Sequence, residues 1–377
     1  MTKRKILLMV VNVDWFFISH RLGIAKNAIA KGWEVIVIAK DTGKAQEIRD
    51  NGMQFINIPL TRSGTNPFKE FFIFLKLFKL YKQIKPTVVH QITMKPVLYG
   101  SIIARILQMK AIVNAISGLG YNFTNNNKGI VHYGIKMLFK IGFSQNKSTL
   151  IFQNEDDYSE LEKAGIVKSH HKIYFMKGVG VNLEKFKYFK EVKKSKVVIL
   201  FAARLLWNKG IKELKQATDA LKEDYKHKIS FVLCGIIDED SKDAVSIEYI
   251  REWECKEYVT WLGHQTDMVA LFKQCDIVVF PSYREGMPKT LLEACAVGRP
   301  IVTTNAHGCK DCVEEGKNGY KVPVKTVNEL KEALIKLIEC PRDRTQMGMY
   351  SRQKAKREFD EQDVFQKHIE IYNSFVQ

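Results

Sequence analysis

The sequence predicts an α/β protein made of two Rossmann-like domains, each a doubly wound parallel sheet. Three observations lead to this prediction. The chain has 377 residues, which is long for one domain and sufficient for two. Short apolar runs rich in β-branched residues alternate with helical patterns, which is typical of βαβ units. The alternation runs through the first half and starts again near residue 197, after a glycine-rich turn.

The predicted elements follow one another in regular order. Strands of the first half are predicted at Ile6–Val11, Glu34–Ala39, Phe55–Ile58, Thr87–His90, Ala111–Ile116 and Leu150–Phe152, with helices near 18–31, 44–51, 67–84, 97–108, 129–143 and 155–164. Strands of the second half are predicted at Val197–Phe201, Ile229–Leu233, Val259–Leu262, Ile277–Phe280, Ile301–Thr304 and Tyr320–Val322. The basic start and first apolar run resemble a signal peptide, but Asn12 and Asp14 interrupt the run, so we interpret it as a strand.

The segment 177–196 is predicted to join the two domains. It contains the turn Gly178-Val179-Gly180 and then a lysine-rich patch, which together are typical of a linker. We therefore predict a first domain at residues 1–180 and a second at 190–355. The helical pattern from Arg342 to Val376 is long enough to reach back onto the first domain, and the family that the motifs below resemble implies that its last part, near 360–377, packs there.

Composition favours a cytoplasmic protein without a membrane span. No run approaches the roughly 18 consecutive apolar residues that a span requires. The seven cysteines have no paired spacing beyond the lone Cys309-x-x-Cys312, which indicates reduced thiols more than a zinc site. The acidic cluster Asp238-Glu239-Asp240 is more simply interpreted as a solvated turn than as a metal site. No metal and no cofactor is therefore expected.

The net charge of +18 is concentrated in the first half. Residues 1–185 hold 27 Lys and Arg against 12 Asp and Glu, and residues 71–154 hold eleven basic residues and no acidic one. This asymmetry predicts an anionic partner for the first half. The absence of any nucleic-acid-binding motif makes nucleic acid a poor candidate and favours an anionic membrane surface. The aromatic and lysine-rich segment 67–85 is either a basic amphipathic helix at that surface or an ordinary crossover helix, and both interpretations can hold together.

The most informative motif spans residues 281–294. Glu285 lies in the loop after the apolar run Ile277–Phe280, and Glu293 lies eight residues on, in the helix that follows. Ligands of open α/β sheets bind outside the carboxyl ends of the strands. Two carboxylates there can accept hydroxyl hydrogen bonds from a sugar and a ribose, while a helix N-terminus offers N–H groups to a phosphate. The pattern indicates a nucleotide sugar; the alternative is a strand-loop-helix unit with two solvated carboxylates.

Arg204 and Lys209 are predicted to lie in the same crevice, because they follow the first strand of the second half. Transfer from a nucleotide sugar releases a diphosphate whose growing charge needs fixed cations. A guanidinium fork suits phosphate geometry, and lysine supplies a point charge. The alternative is an ordinary surface arginine and lysine after a strand.

The two motifs resemble the E-x7-E and R-x4-K signatures of retaining glycosyltransferases of family 4, which have the GT-B fold with a cleft between two Rossmann-like domains. The resemblance implies that Arg204 and Lys209 hold the diphosphate, Glu285 binds the transferred sugar and Glu293 accepts the ribose hydroxyls. It implies further donor contacts from Gly263, Gly286, Met287, Pro288, Thr290 and Gly308, the last placed before a predicted helix at 309–315. It also implies retention of anomeric configuration without a metal.

The acceptor is expected in the first half, where the family pattern is less complete. The turn predicted after the first strand lacks the Gly-rich loop of many family members, and Asp14, His20 and Arg21 are candidate acceptor contacts. Lys95 lies at another strand end, and Ser117 stands where many relatives have a histidine. His20 is therefore a candidate catalytic residue, whereas His90 and His132 are expected to be structural.

Four segments resemble a narrower bacterial branch that builds capsule, O-antigen and lipid-linked glycan chains: residues 12–17, 62–67, 94–100 and 117–121. The resemblance implies a UDP-sugar donor, for which we expect a UDP-N-acetylhexosamine, and an acceptor sugar on undecaprenyl diphosphate. The protein would act at the inner face of the cell membrane. Two alternatives stay open, namely a nucleotide-sugar epimerase of the same fold and a non-catalytic protein that binds membrane or nucleic acid.

Overall fold

The computed structural model describes residues 4–60, 66–119, 130–144, 148–192, 194–239, 241–255 and 257–376. The chain divides into two compact units, the first comprising Met1–Val179 and Gln362–Gln377 and the second Gly180–Glu361. Among the described residues, no helix is both long and apolar enough to cross a bilayer. Arg62 to Thr65, Gly120, Tyr121 and Asp240 lie outside the described residues.

The first unit is built on a parallel sheet with the strand order β3-β2-β1-β4-β5-β6-β7 in its described residues. Its strands are β1 Ile6–Val13, β2 Glu34–Lys40, β3 Gln54–Asn57, β4 Val88–Ile92, β5 Ile112–Ile116, β6 Thr149–Phe152 and β7 Lys172–Phe175. Its helices are α1 Asp14–His20, α2 Leu22–Ala30, α3 Ala45–Asp50, α4 Pro67–Ile84, α5 Met94–Ile106, α6 Ile130–Phe143 and α7 Glu155–Lys163.

Side chains of the central strands alternate between two apolar layers, as the two-residue period of a strand requires. Leu7, Met9 and Val11 pack with α1 and α2 on one face of the sheet, whereas Leu8 and Val10 pack with α4 on the other. The first layer also contains Val364, Ile369, Ile371 and Tyr372. These residues belong to the helix α14 (Glu361–Asn373), so this helix lies largely in the core of the first unit. The first unit is therefore covered by helices on both faces, as a parallel sheet requires.

The second unit repeats the architecture with the strand order β10-β9-β8-β11-β12-β13 in its described residues. Its strands are β8 Val197–Ala202, β9 Ile229–Cys234, β10 Val259–Trp261, β11 Ile277–Phe280, β12 Ile301–Thr304 and β13 Gly319–Val322. Its helices are α8 Ile211–Tyr225, α9 Ile247–Trp253, α10 Met268–Gln274, α11 Lys289–Val297, α12 Val327–Glu339 and α13 Pro341–Glu358, followed by α14. The strand order reverses between β8 and β11, the place where open α/β sheets bind ligands.

Three local predictions differ from the structure. The helix predicted near 18–31 is two helices, because the backbone of Arg21 (φ −132°) leaves the helical region between α1 and α2. The helix predicted at 309–315 is only a short 3₁₀ turn at Lys310–Cys312. The strand β7 was missed because its four residues carry a lysine, a tyrosine and no long apolar run. The prediction of two Rossmann-like units, each built on a parallel sheet, is confirmed.

Asp14 begins α1 and has a structural role that differs from the predicted acceptor contact. Its carboxylate is fully buried and accepts hydrogen bonds from the Trp15 N–H (2.7 Å), the Thr42 N–H (2.7 Å) and hydroxyl, and the Lys44 N–H (2.9 Å). Burial opposes ionisation, but these hydrogen bonds outweigh it and lower the pKa of Asp14. Asp14 therefore fixes the loop after β2 instead of facing a ligand.

We expect Asp14→Ala to lower the free energy of unfolding by about 2 kcal/mol at neutral pH, because hydrogen bonds to a charged acceptor are lost. Since folding lowers the pKa of Asp14, its contribution is present above the unfolded-state pKa and disappears as the pH falls through the lower, folded-state pKa. Urea unfolding at several pH values measures both effects. Asp224→Ala, at an exposed position, is the control, and equal stability of the two variants at neutral pH would contradict the prediction.

Candidate functional site

The site of the second unit is formed by two loops at one edge of the sheet. β8 and β11 are neighbouring parallel strands, so the loop 203–210 and the loop 281–288 leave the sheet side by side. Gly210 has φ +74°, and a Cβ on it would lie 2.2 Å from the carbonyl oxygen of Pro281. The Tyr283 N–H donates to the Asn208 carbonyl at 2.9 Å. These contacts hold the two loops together and set the positions of their charged side chains.

Lys209 and Glu285 form an ion pair between the two loops, and most of both side chains is buried. The Ser282 hydroxyl donates to the same Glu285 oxygen, Oε1, at 2.8 Å, and Ser282 is itself fully buried. The Glu285 N–H donates to the His307 carbonyl at 3.0 Å. Glu285 is therefore oriented by the Lys209 ammonium, the Ser282 hydroxyl and its own backbone, which is more support than a solvated loop carboxylate has.

Arg204 lies in the same loop as Lys209, and its guanidinium pairs with the carboxylate of Asp238. About a third of the Arg204 side chain remains exposed (35%), so this pair is accessible to an anion. Asp243, from the same acidic segment, accepts a hydrogen bond from the Asn208 N–H at 3.0 Å. Within the described residues no group of three potential metal ligands occurs, and the acidic segment is occupied in holding the loop 203–210.

Glu293 lies in the second turn of α11 and is only 5% exposed. Burial raises the pKa of Glu293, and the ammonium of Lys289, 3.5 Å away, partly offsets this effect. Lys185 acts in the same direction, and a buried carboxylate beside ammonium groups still has lone pairs that hydroxyl groups can satisfy. Thr290, one turn earlier, donates its hydroxyl to the Ala202 carbonyl at 2.9 Å and so ties α11 to the end of β8.

The remaining predicted donor residues present mainly backbone atoms. Gly308 has φ +74°, and a Cβ there would lie 2.3 Å from the Gly286 carbonyl oxygen, so only glycine permits this approach. Gly263 has φ +65° with open space beside its Cα, and its carbonyl accepts the Gly235 N–H at 2.8 Å. The Met287 side chain is buried, with its sulfur 3.3 Å from the Cys312 sulfur, which leaves only backbone atoms of Met287 for a ligand. Pro288 caps the N-terminus of α11.

The predicted acceptor residues of the first unit are not equivalent. Arg21 is 3% exposed, and its guanidinium donates to the Ser117 hydroxyl at 3.0 Å and to the His20 carbonyl at 3.1 Å. Burial lowers the pKa of Arg21 to about 10. His20 is placed differently: its ring stacks on Phe16 at 4.2 Å, and its Nδ1 lies 2.5 Å from the Ser19 hydroxyl. Arg21 and Ser117 therefore form one polar contact, and His20 is a neighbour at the end of α1.

The predicted contact Lys95 and the histidine His90 are both engaged in local structure of the first unit. Lys95 pairs with Glu70 at 2.8 Å, and Tyr99 donates to the other oxygen of Glu70 at 2.6 Å, so this charge is largely neutralised. His90 is fully buried with its Nδ1 2.7 Å from the Tyr372 hydroxyl. Burial lowers the pKa of His90 well below its ordinary range, and the charges of the nearby His368 and Arg21 lower it further. His90 is structural, as expected; nothing is described of the His132 side chain.

Sequence reasoning missed Ser282 and Asp238 as parts of the site. Ser282 precedes Glu285 by three residues, a spacing at which a loop can fold back, but the sequence alone does not show that the hydroxyl reaches the carboxylate. Asp238 was interpreted as a solvated turn, and its partner Arg204 is 34 residues away in the sequence. Such a pairing depends on the adjacency of β8 and β9, which is a tertiary property.

Two Rossmann-like units, the second with two carboxylates and two cations at its strand-order reversal, are the features expected of a GT-B enzyme that acts on a nucleotide sugar. The family model described as "Glycosyl transferases group 1" matches residues 183–354, and the model described as "Glycosyl transferase 4-like" matches residues 5–154. The chain belongs to the GT-B glycosyltransferases, in the branch that builds bacterial surface and lipid-linked glycans.

Individual relatives agree with this assignment. The N,N'-diacetylbacillosaminyl-diphospho-undecaprenol alpha-1,3-N-acetylgalactosaminyltransferase of Campylobacter jejuni is 29% identical, with 96% of this chain and 98% of the relative covered. The UDP-Gal:alpha-D-GlcNAc-diphosphoundecaprenol alpha-1,3-galactosyltransferase of Escherichia coli is 23% identical over 81% and 80%. Among solved structures, Anabaena HepE with UDP-glucose superposes with a TM-score of 0.76 at 16% identity, over 98% of this chain and 99% of HepE. The last similarity shows the fold.

Proposed function

We propose that the protein transfers a sugar, an N-acetylhexosamine, from a UDP-sugar to a glycan carried on undecaprenyl diphosphate. The observation that carries the proposal is the contact between Lys209 and Glu285. A cation that binds the diphosphate and a carboxylate that binds the sugar must be neighbours, because the diphosphate is joined to the sugar by one bond. The printed names of the Campylobacter jejuni and Escherichia coli relatives support the donor and acceptor classes.

The proposed reaction uses the described side chains for binding and charge stabilisation. The acceptor hydroxyl oxygen forms a bond to the anomeric carbon while the bond from that carbon to the diphosphate breaks, and the hydroxyl proton leaves with the diphosphate. Arg204 and Lys209 stabilise the charge that develops on the leaving group. Glu285 accepts sugar hydroxyls, and Glu293 accepts the ribose hydroxyls. The carbonyl and amide groups near Gly263 hold the base, and the anomeric configuration is retained.

We propose that the first unit binds the acceptor. Arg21 is buried without a carboxylate among its described hydrogen-bond partners, and with Ser117 and the nearby His20 it places polar groups where the end of α1 meets the carboxyl end of β5. The acceptor diphosphate is the anion that such donors suit. Because the acceptor carries a lipid, we also propose that the protein works peripherally at the inner face of the cell membrane.

The first test is thermal stabilisation by nucleotides, without added metal and with a chelator present. A ligand at a hundredfold its dissociation constant adds about 2.7 kcal/mol to the free energy of unfolding, which is an easily measured shift. We expect UDP and UDP-N-acetylhexosamines to raise the unfolding temperature, and GDP and dTDP to leave it unchanged. Absence of a shift with every nucleotide would contradict the donor site, and a shift that needs a divalent cation would contradict metal independence.

Product analysis then separates transfer from epimerisation. With a UDP-sugar alone we expect the sugar configuration to stay unchanged, and with a lipid-diphosphate-linked acceptor we expect a longer glycan and free UDP. Conversion of the donor in the absence of acceptor would favour an epimerase instead.

A further inference from the structure

The helix α4 carries an exposed apolar stripe on the side opposite to its buried face. Phe68, Phe71, Phe72 and Leu75 recur at helical spacing over its first two turns, and Phe68 and Phe72 are 79% and 68% exposed. The opposite side buries Ile73, Leu77 and Tyr81 against the sheet. The helix is therefore already anchored, and the phenylalanines of its outer stripe are not needed for its own packing.

The same outer stripe of α4 becomes basic toward the end of the helix. Lys79 and Lys82 continue the spacing of Phe68, Phe72 and Leu75, and both lysines are exposed. The acidic residue of α4, Glu70, lies on the inner side, where Lys95 and Tyr99 bind it. The outward side of α4 thus combines aromatic rings with exposed positive charge.

The helix α6 carries a second stripe of the same kind. Tyr133, Met137 and Ile141 recur at four-residue spacing, and Tyr133 is 74% exposed. Lys140, on the same side, is exposed, while Phe139 and Phe143 are buried on the inner side. Phe139 and Phe143 pack α6 on the sheet, so this packing does not require the outward apolar side chains.

Both stripes belong to one surface of the first unit. The helix α5 contacts α4 on one side and α6 on the other, so the three helices form a single layer on one face of the sheet. Because each stripe lies opposite its helix's buried side, both stripes point away from the sheet. We call the surface formed by the outward stripes of α4 and α6 the α4/α6 surface.

The positive charge of the α4/α6 surface favours an anionic partner. From residue 71 to residue 154 the sequence has eleven basic residues and no acidic one. A protein partner of ordinary composition would meet unpaired lysines, whereas anionic lipid headgroups neutralise them while the rings enter the boundary of the acyl region. Attraction to an anionic leaflet increases with each lysine held near its surface.

We propose that the α4/α6 surface docks the protein on an anionic lipid bilayer. This inference deepens the proposed function, because it names the surface by which the first unit would meet the membrane that carries its acceptor. The phenylalanine stripe of α4 and the Tyr133 stripe of α6 insert at the headgroup level, and Lys79, Lys82 and Lys140 contact the headgroups.

The test is co-sedimentation of the full chain with vesicles. We expect binding to mixed phosphatidylcholine–phosphatidylglycerol vesicles, weaker binding at high salt and little binding to phosphatidylcholine alone. The double variant Phe68→Ser/Phe72→Ser and the double variant Lys79→Glu/Lys82→Glu are each expected to lose about tenfold or more in vesicle affinity. Met349→Ser and Lys222→Glu, at exposed positions of the second unit, are matched controls that should bind like the parent.

Two further measurements separate failure of the inference from failure of the proposed function. The UDP-induced thermal shift and transfer to a short-chain, water-soluble acceptor should be unchanged in the variants, which also shows that they are folded. If the Phe68→Ser/Phe72→Ser variant does not fold, the Lys79→Glu/Lys82→Glu variant tests the inference independently. Parent-like vesicle binding by both double variants would overturn the inference. The inference would also be overturned if the protein formed a dimer, or bound RNA, through the α4/α6 surface and did not bind vesicles.

Discussion

Replacing Glu285 by glutamine is expected to lower kcat by about two to three orders of magnitude, because the sugar loses a fixed negative charge beside the carbon that becomes positive as the bond to the diphosphate breaks. Glutamine has the same size and can still accept from the Ser282 hydroxyl, so the loop 281–288 should keep its shape. What is lost is the negative charge beside Lys209 and the sugar hydroxyls. We therefore expect UDP affinity to change much less than turnover.

Steady-state transfer assays and calorimetry with UDP measure these two quantities for Glu285→Gln. Glu223→Gln, at an exposed position of α8, is the control and should match the parent in both. A loss of UDP affinity as large as the loss of kcat would contradict the assignment of Glu285 to the sugar. It would indicate that the carboxylate serves mainly to hold Lys209 in position.

Arg204→Ala is expected to weaken UDP binding by about one to two orders of magnitude. Hydrogen bonds to a charged group contribute about 1.5–3 kcal/mol, and the guanidinium is the forked donor that suits a diphosphate. Because Arg204 and Asp238 are both partly exposed, their ion pair contributes little to folding, and the unfolding temperature of the unliganded variant should stay close to that of the parent.

Calorimetry with UDP and thermal unfolding without it test this prediction. Arg251→Ala, on an exposed face of α9, controls for the loss of one positive charge. In addition, Asp238→Asn separates the carboxylate from the guanidinium, since it should leave UDP affinity equal to or higher than that of the parent. Unchanged UDP affinity in Arg204→Ala would exclude the proposed contact with the diphosphate.

Much of the fold was predictable because its signals are local. The strands Ile277–Phe280 and Ile301–Thr304 have the predicted bounds, since each is a short apolar run bordered by polar residues or proline. The helix α4 also has the predicted bounds, because Asn66 caps its N-terminus and Pro67 fits its first turn. The split between α1 and α2 at Arg21 was not predictable, since no proline marks it and Gly23 lies inside α2, two residues after the break.

The candidate site was predictable as a set of residues and not as a set of contacts. Strand ends place Arg204, Lys209 and Glu285 at one sheet edge, and that part of the reasoning needs only the strand pattern. Which carboxylate pairs with which cation depends on strand order and loop shape. Asp14 shows the same limit in the first unit: a carboxylate after a strand has the same sequence signature whether it faces a ligand or caps a buried loop.

The position of α14 has a consequence for the synthesis of the chain. Ile369, Ile371 and Tyr372 complete the apolar core that contains Leu7 and Met9, although they are separated from them by more than the whole second unit. On the ribosome, the residues of the second unit emerge as one uninterrupted segment, whereas the first unit stays unfinished until residue 372 has left the exit tunnel. The order in which the units reach their native cores should therefore be the reverse of the order in which they are translated.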